Sequence, residues 1–212
     1  MRAAIWHGGR RFEIETRPLP PLAPSEVRVR VDSCGVCLTE VHGVDDLLPM
    51  AAPLRLLGHE YGGVVTAVGS GVTGVEPGKV VACEGREGYA EYCTLPAERI
   101  HPLPPGVPAE HAAYVEPMQC CLAAERHAQV PLGASVLITG AGPMGLLVLQ
   151  IVRQRQAGRA IVSEPNPARR ALARTLGAAH VVDPRAAPVR EVVMDVTRDG
   201  GGRGSGEHGR AA

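Results

Sequence analysis

Val27-Arg28-Val29-Arg30-Val31 alternates apolar and basic side chains, the two-residue rhythm of a strand with one buried face. Met1 to His7 also reads as a strand, and Tyr61 to Val68 and Lys79 to Cys83 form short apolar runs. Gly69-Ser70-Gly71 and Pro77-Gly78 break those runs with turn residues. The pattern predicts a β-rich domain with irregular loops over residues 1–110. Residues 111–128 are rich in Ala, lack Gly and carry proline only at Pro117, which predicts a bridging helix.

The rhythm changes at residue 135. Ser135 to Thr139 is an apolar strand, Met144 to Gln156 a helix, Arg159 to Ser163 a second strand, and Ala168 to Leu176 a second helix ended by Gly177. His180 to Asp183 reads as a third strand and Pro188 to Arg198 as a third helix. Alternating strands and helices imply a parallel sheet with right-handed crossovers. Residues 199–212 are mostly Gly and polar residues, cannot bury apolar surface, and are expected to be disordered.

Between the strand at 135–139 and its helix lies Gly140-Ala141-Gly142-Pro143-Met144-Gly145, a G-x-G-x-x-G run. Alone this spacing is weak; after a strand and at the start of a helix it describes a pyrophosphate cradle. The first glycine permits the tight turn, the second lets backbone approach the phosphates, and the third lets helix and strand pack closely. The helix start adds free N–H groups and the positive end of its dipole. Glu164 closes the second strand, where a carboxylate accepts from ribose hydroxyls and repels a 2′-phosphate, so NAD is favoured over NADP. Arg169 and Arg170 nearby weaken that preference.

Composition adds mainly exclusions. The chain has 212 residues, 45% hydrophobic and 21% charged, with a formal net charge of zero, so nothing draws it strongly to nucleic acid or an anionic membrane. No apolar run is long enough to span a bilayer, and the first residues lack the apolar core of a secretory leader. Six cysteines are too few for a disulfide scaffold, so reduced thiols and a cytoplasmic setting are expected.

The cysteines instead join other metal-binding residue types. Cys34, Cys37, Glu40 and His42 form one cluster, Gly58-His59-Glu60 a second, and Val115-Glu116-Pro117 a third. Thiolate, imidazole and carboxylate together suit zinc, and a catalytic zinc needs only three protein ligands. Cys34, Cys120 and Cys121 read as packing residues, and His101, His111, His127 and His180 as surface or core histidines.

These clusters, in this order and followed by the glycine fingerprint, resemble the zinc-dependent medium-chain alcohol and polyol dehydrogenases over residues 1–198. The resemblance implies an α/β fold: a β-rich GroES-like catalytic domain with its bridging helix over 1–130, then a partial Rossmann doubly wound parallel sheet over 131–198. It also implies a chain truncated after the first half of the NAD-binding domain, with the third strand exposed as a sheet edge. By position, Cys37 and His59 match zinc ligands, and the third ligand is Glu60 or Glu116. Thr39 matches the hydroxyl that meets the substrate alcohol, His42 the histidine that passes the proton to solvent, and Glu40 a family Asp beside the metal. Gly140, Gly142, Pro143, Met144, Gly145 and Glu164 match the cofactor site. The expected activity interconverts an alcohol or polyol and a carbonyl by hydride transfer with NAD(H), using one catalytic zinc. Only Cys83 and Cys93 occupy the stretch where relatives carry four cysteines, so no structural zinc is expected. The alternative is a non-catalytic fragment that binds only zinc or nucleotide. A small-molecule substrate is the expected partner. The surfaces through which relatives form homo-oligomers fall largely in the missing half.

Overall fold

A computed structural model describes residues 1–45, 55–155 and 158–198. The expected tail at 199–212 and the last residue of the helix expected to end at Gln156 lie outside them. The chain forms two compact units that divide between Gln119 and Cys120.

The first unit is β-rich. Its elements are β1 (Arg2–Trp6), β2 (Phe12–Thr16), β3 (Glu26–Gly35), α1 (Leu38–Val44), β4 (Arg55–Leu56), β5 (Glu60–Val68), β6 (Val80–Cys83), β7 (Tyr92–Pro96) and β8 (Ile100–Pro102). One antiparallel sheet has the order β7-β3-β5-β6-β8 and a smaller one β2-β1-β4. The alternation read at 27–31 puts Val27 and Val29 inside, where both are fully buried. With Tyr61, Val65, Val81, Cys83, Cys93, Leu95 and Ile100 they make the core. Each fully buried Val, Leu or Ile contributes about 1.5–3 kcal/mol.

One pairing decides where the chemistry sits. β3 and β5 run antiparallel, with Cys34 opposite Tyr61 and Gly35 opposite Glu60. The end of β3 therefore adjoins the start of β5. Cys37, just past one strand, and His59, just before the other, are delivered to the same corner.

The bridging helix starts later than expected. Ala109–Tyr114 is a 3-10 segment, and α2 runs from Val115 to Ala128. Pro117 explains the offset. Proline has no N–H and is tolerated in the first helical turn, where N–H groups lack intrahelical partners anyway. The α-helix therefore begins two residues before it. The 3-10 segment lies against β5: a Cβ on Gly62 would sit 2.3 Å from that of Ala112.

In the second unit β9 (Ser135–Thr139), α3 (Pro143–Gln154), β10 (Arg159–Ser163), α4 (Pro167–Thr175), β11 (His180–Val182) and α5 (Val189–Arg198) follow as the pattern predicts. The three strands are parallel in the order β11-β10-β9. The third strand is an outer strand, as expected, and β9 is the other. α3 buries Leu149 and Val152 against Ile138, Ala160 and Val162. α4 is capped by Asn166, whose side chain accepts from the N–H groups of Ala168 and Arg169, with Pro167 at the first helical position.

Candidate functional site

The β3–β5 corner brings together Cys37, His59 and Glu60, each offering one donor atom, all within 4.8 Å of one another. Among the described residues this is the one group of three or more such side chains. Each is half-buried. Glu60 reaches the corner because residue 35 is glycine: a Cβ there would come within 2.2 Å of Glu60 Oε2.

Behind the trio sits Glu40, on the first turn of α1 and only 8% exposed. Its Oε1 accepts from the Gly58 N–H at 2.7 Å and lies 3.2 Å from His59 Nδ1. The carboxylate holds the proton on Nδ1 and leaves Nε2 as the ring's lone-pair donor, the arrangement by which a second carboxylate orients a metal-bound histidine. Gly58 has φ of +97°, a conformation that costs other residues about 1–2 kcal/mol. The Tyr89 hydroxyl donates to Glu40 Oε2 at 2.6 Å. Burial, then this bond, raises the Tyr89 phenol above its ordinary range and keeps it a donor.

This donor set fits zinc: one thiolate, one imidazole with its far nitrogen held by a carboxylate, and one carboxylate. Glu116, in the first turn of α2, lies close enough to interact with both His59 and Glu60. Burial raises its carboxyl, the like charge of Glu60 adds to that, and His59 opposes it. It is outside the tight trio but beside it.

Thr39 and His42 are exposed on α1. Thr39 Oγ1 lies 2.7 Å from Cys37 Sγ, so the hydroxyl is next to the donor thiol. Cys34 faces inward, and burial with the charges of Glu40 and Glu60 pushes its thiol up to about 12, which suits packing rather than ligation. Cys83 and Cys93 are core residues, each 2% exposed. Cys121 is buried as expected, but Cys120 is exposed, because adjacent helical positions face different directions.

In the second unit Gly140 takes φ of +95° and starts the turn. Gly142 precedes α3, and a Cβ there would meet nothing within 4 Å. At Gly145 a Cβ would fall 2.0 Å from the Gly140 carbonyl oxygen, so loop and helix touch through backbone alone. Pro143 and Met144 open α3 and are exposed.

Glu164 is 3% exposed. Its two oxygens accept from the N–H groups of Ala141 and Asn166, each at 2.7 Å, and these bonds lower its pKa. The acid thus ties the glycine loop to the end of β10. Arg170 does not stand free beside it. Its guanidinium donates to the Glu164 and Pro165 carbonyls at 2.8 Å and pairs with Asp183 at 3.0 Å. Arg169 is exposed, and its charge acts on Glu164.

Residues 23–105 match the family described as the alcohol dehydrogenase GroES-like domain. L-threonine 3-dehydrogenase from Pyrococcus horikoshii is 32% identical over 95% of this chain, and the match covers 66% of that enzyme. (R,R)-butanediol dehydrogenase from Bacillus subtilis is 30% identical over 95% of this chain and 68% of its own length. A Sinorhizobium meliloti structure, described as a zinc-binding dehydrogenase bound to NADP, superposes with a TM-score of 0.82 at 27% identity, covering 90% of this chain and 64% of that one. The chain thus spans about two thirds of the length of the proteins it matches.

Proposed function

The chain belongs to the zinc-dependent medium-chain dehydrogenase family, and from that premise we propose that it interconverts an alcohol or polyol with a carbonyl compound, using one catalytic zinc and NAD(H). The observation that carries this reading is the convergence of Cys37, His59 and Glu60 in front of Glu40. On this reading Cys37, His59 and one of the acids Glu60 and Glu116 hold the ion, and Glu60 has the better geometric claim because it belongs to the tight trio.

Bound at these residues, zinc would supply Lewis acidity that eases deprotonation of a substrate hydroxyl, and a nicotinamide coenzyme would supply the hydride acceptor. The protein's own part is to place groups and move a proton. Thr39 meets the substrate hydroxyl beside Cys37, accepts its hydrogen bond and, as that proton arrives, gives up its own proton toward solvent. His42, exposed on the same helix, passes a proton to solvent. Glu40 keeps the His59 ring in one tautomer and one orientation. In the second unit the glycine run and the start of α3 bind the pyrophosphate, and Glu164 accepts from the adenosine ribose.

Glu164 supports NAD as the preferred coenzyme, since its charge opposes a 2′-phosphate. Arg170, already engaged by two carbonyls and Asp183, has little left to offer such a phosphate. The core positions of Cys83 and Cys93 support a single zinc and no structural one. No described helix is long and apolar enough to cross a membrane. With five thiols unbridged, at positions 34, 37, 83, 93 and 121, we read the protein as cytoplasmic with a small-molecule substrate.

The test is metal analysis of the purified chain alongside alcohol-dependent NADH formation, with and without a chelator. One zinc per chain with chelator-sensitive turnover supports the proposal. One zinc without turnover on any alcohol or polyol supports a binding fragment instead, and no zinc refutes the catalytic reading and leaves only a fragment that binds nucleotide.

A further inference from the structure

The loop between β6 and β7 has no role in the reading above, yet its Tyr89 reaches the carboxylate on which His59 rests. The hydroxyl lies 2.6 Å from Glu40 Oε2 and 3.3 Å from the Gly35 carbonyl oxygen. The other oxygen, Oε1, takes the Gly58 N–H and faces His59 Nδ1. A carboxylate held at one oxygen can still turn about its last bond. Held at both, with Glu40 buried, it cannot.

Tyr89 is itself anchored. Its N–H donates to the Leu57 carbonyl and the Gly88 N–H to the Gly58 carbonyl, each at 2.9 Å, so the loop pairs with the segment leading into His59. A Cβ on Gly58 would lie 2.8 Å from the Tyr89 ring, so the ring rests directly on that backbone. Gly88 makes the same allowance from the other side: a Cβ there would sit 2.7 Å from Cys34 Sγ.

We propose that Tyr89 is a positioning residue for the metal centre: by fixing Glu40 it fixes the tautomer and ring orientation of His59, and so sets how tightly and in what geometry an ion is held. This rests on the zinc reading of Cys37, His59 and Glu60. The side chain touches neither ion nor substrate in this scheme, and its effect runs through two hydrogen bonds.

The test is Tyr89→Phe, which keeps the ring and removes the hydroxyl. Zinc affinity is measured by chelator competition, the visible spectrum is recorded with cobalt in place of zinc, and the metal-free protein is melted as a control. The expected result is an affinity loss of about tenfold, at the low end for an outer partner of a metal-bound histidine, with an altered cobalt spectrum and a nearly unchanged metal-free melt. In a Glu40→Ala background the same substitution should cause no further loss. As a check on the unaltered protein, the zinc-loaded chain should show a downfield, slowly exchanging NMR signal from the Tyr89 hydroxyl. Wild-type affinity and spectrum in Tyr89→Phe, a full additional loss in the Glu40→Ala background, or absence of that signal would each overturn the proposal while leaving the zinc site standing. Failure of the unaltered chain to bind zinc would remove the site and the proposal together.

Discussion

Gly35→Ala separates the two acids that compete for the third place in the metal centre. Gly35 has no left-handed backbone, so alanine fits its conformation, and the problem is confined to the side chain. The new Cβ would lie 2.2 Å from Glu60 Oε2 and 3.1 Å from Glu60 Cβ. Restoring ordinary contact requires the carboxylate oxygen to retreat by about 1 Å. A zinc–carboxylate bond is about 2.0–2.2 Å long, and a working site tolerates roughly 0.2 Å. Glu60 then drops out as a ligand. The cost should be at least the upper end of what losing an outer partner does, about 100-fold in affinity or roughly 2.7 kcal/mol. Stability of the metal-free protein should barely change. Replacing glycine at a compatible site gains about 0.4–1 kcal/mol through the unfolded chain, which offsets the crowding of a movable carboxylate. The assay is chelator competition for zinc, with a thermal melt of the metal-free protein. Unchanged zinc affinity in Gly35→Ala, together with a large loss in Glu116→Ala, would refute the assignment of Glu60 and transfer its role to Glu116.

Other expectations follow from the second unit. Glu164→Ala should raise the ratio of NADP to NAD affinity by about fivefold or more, since a charge opposing the 2′-phosphate is worth about 1 kcal/mol or above; equilibrium binding of both nucleotides reads this, and an unmoved ratio counts against it. Asp183 is held down to about 2, first by its hydrogen bond to Arg185 and also by Arg170. A lowered carboxylate stabilises the fold above its unfolded pKa near 4, and that stabilisation is lost as pH falls toward 2. Asp183→Asn should therefore melt below the wild type at pH 5, with the gap closing by pH 2. Asn166→Ala removes the cap of α4 and should cost about 1 kcal/mol, read from the unfolding midpoint.

The sequence made some of this legible and hid the rest for physical reasons. β9 and β10 have the bounds the apolar runs predict, because each is a short apolar segment between breakers, although only β10 is buried along most of its length. The glycine run needs only neighbours in sequence, and it sits between β9 and α3 as its spacing implies. Cys37, His59 and Glu60 could be nominated as residue types, but their meeting depends on the β3–β5 register, which no local pattern states. Glu40 was legible as an acid in the cluster and, by resemblance, as the match of an acid beside the metal; its burial and grip on His59 come from tertiary packing. Tyr89 gave no signal, because its partner lies on a distant element and a lone tyrosine in a loop carries no local pattern. Arg170 is similar: its charge is plain in the sequence, whereas its pairing with Asp183, thirteen positions on, is not.

The central claim is a single zinc held by one thiolate together with nitrogen and oxygen donors. X-ray absorption at the zinc edge of the purified chain tests it most directly. The account predicts one Zn–S distance of about 2.3 Å with the remaining ligands nitrogen or oxygen at about 2.0–2.2 Å, and loss of the sulfur signal in Cys37→Ser. Three or more sulfur ligands, or a sulfur signal that survives Cys37→Ser, would contradict it.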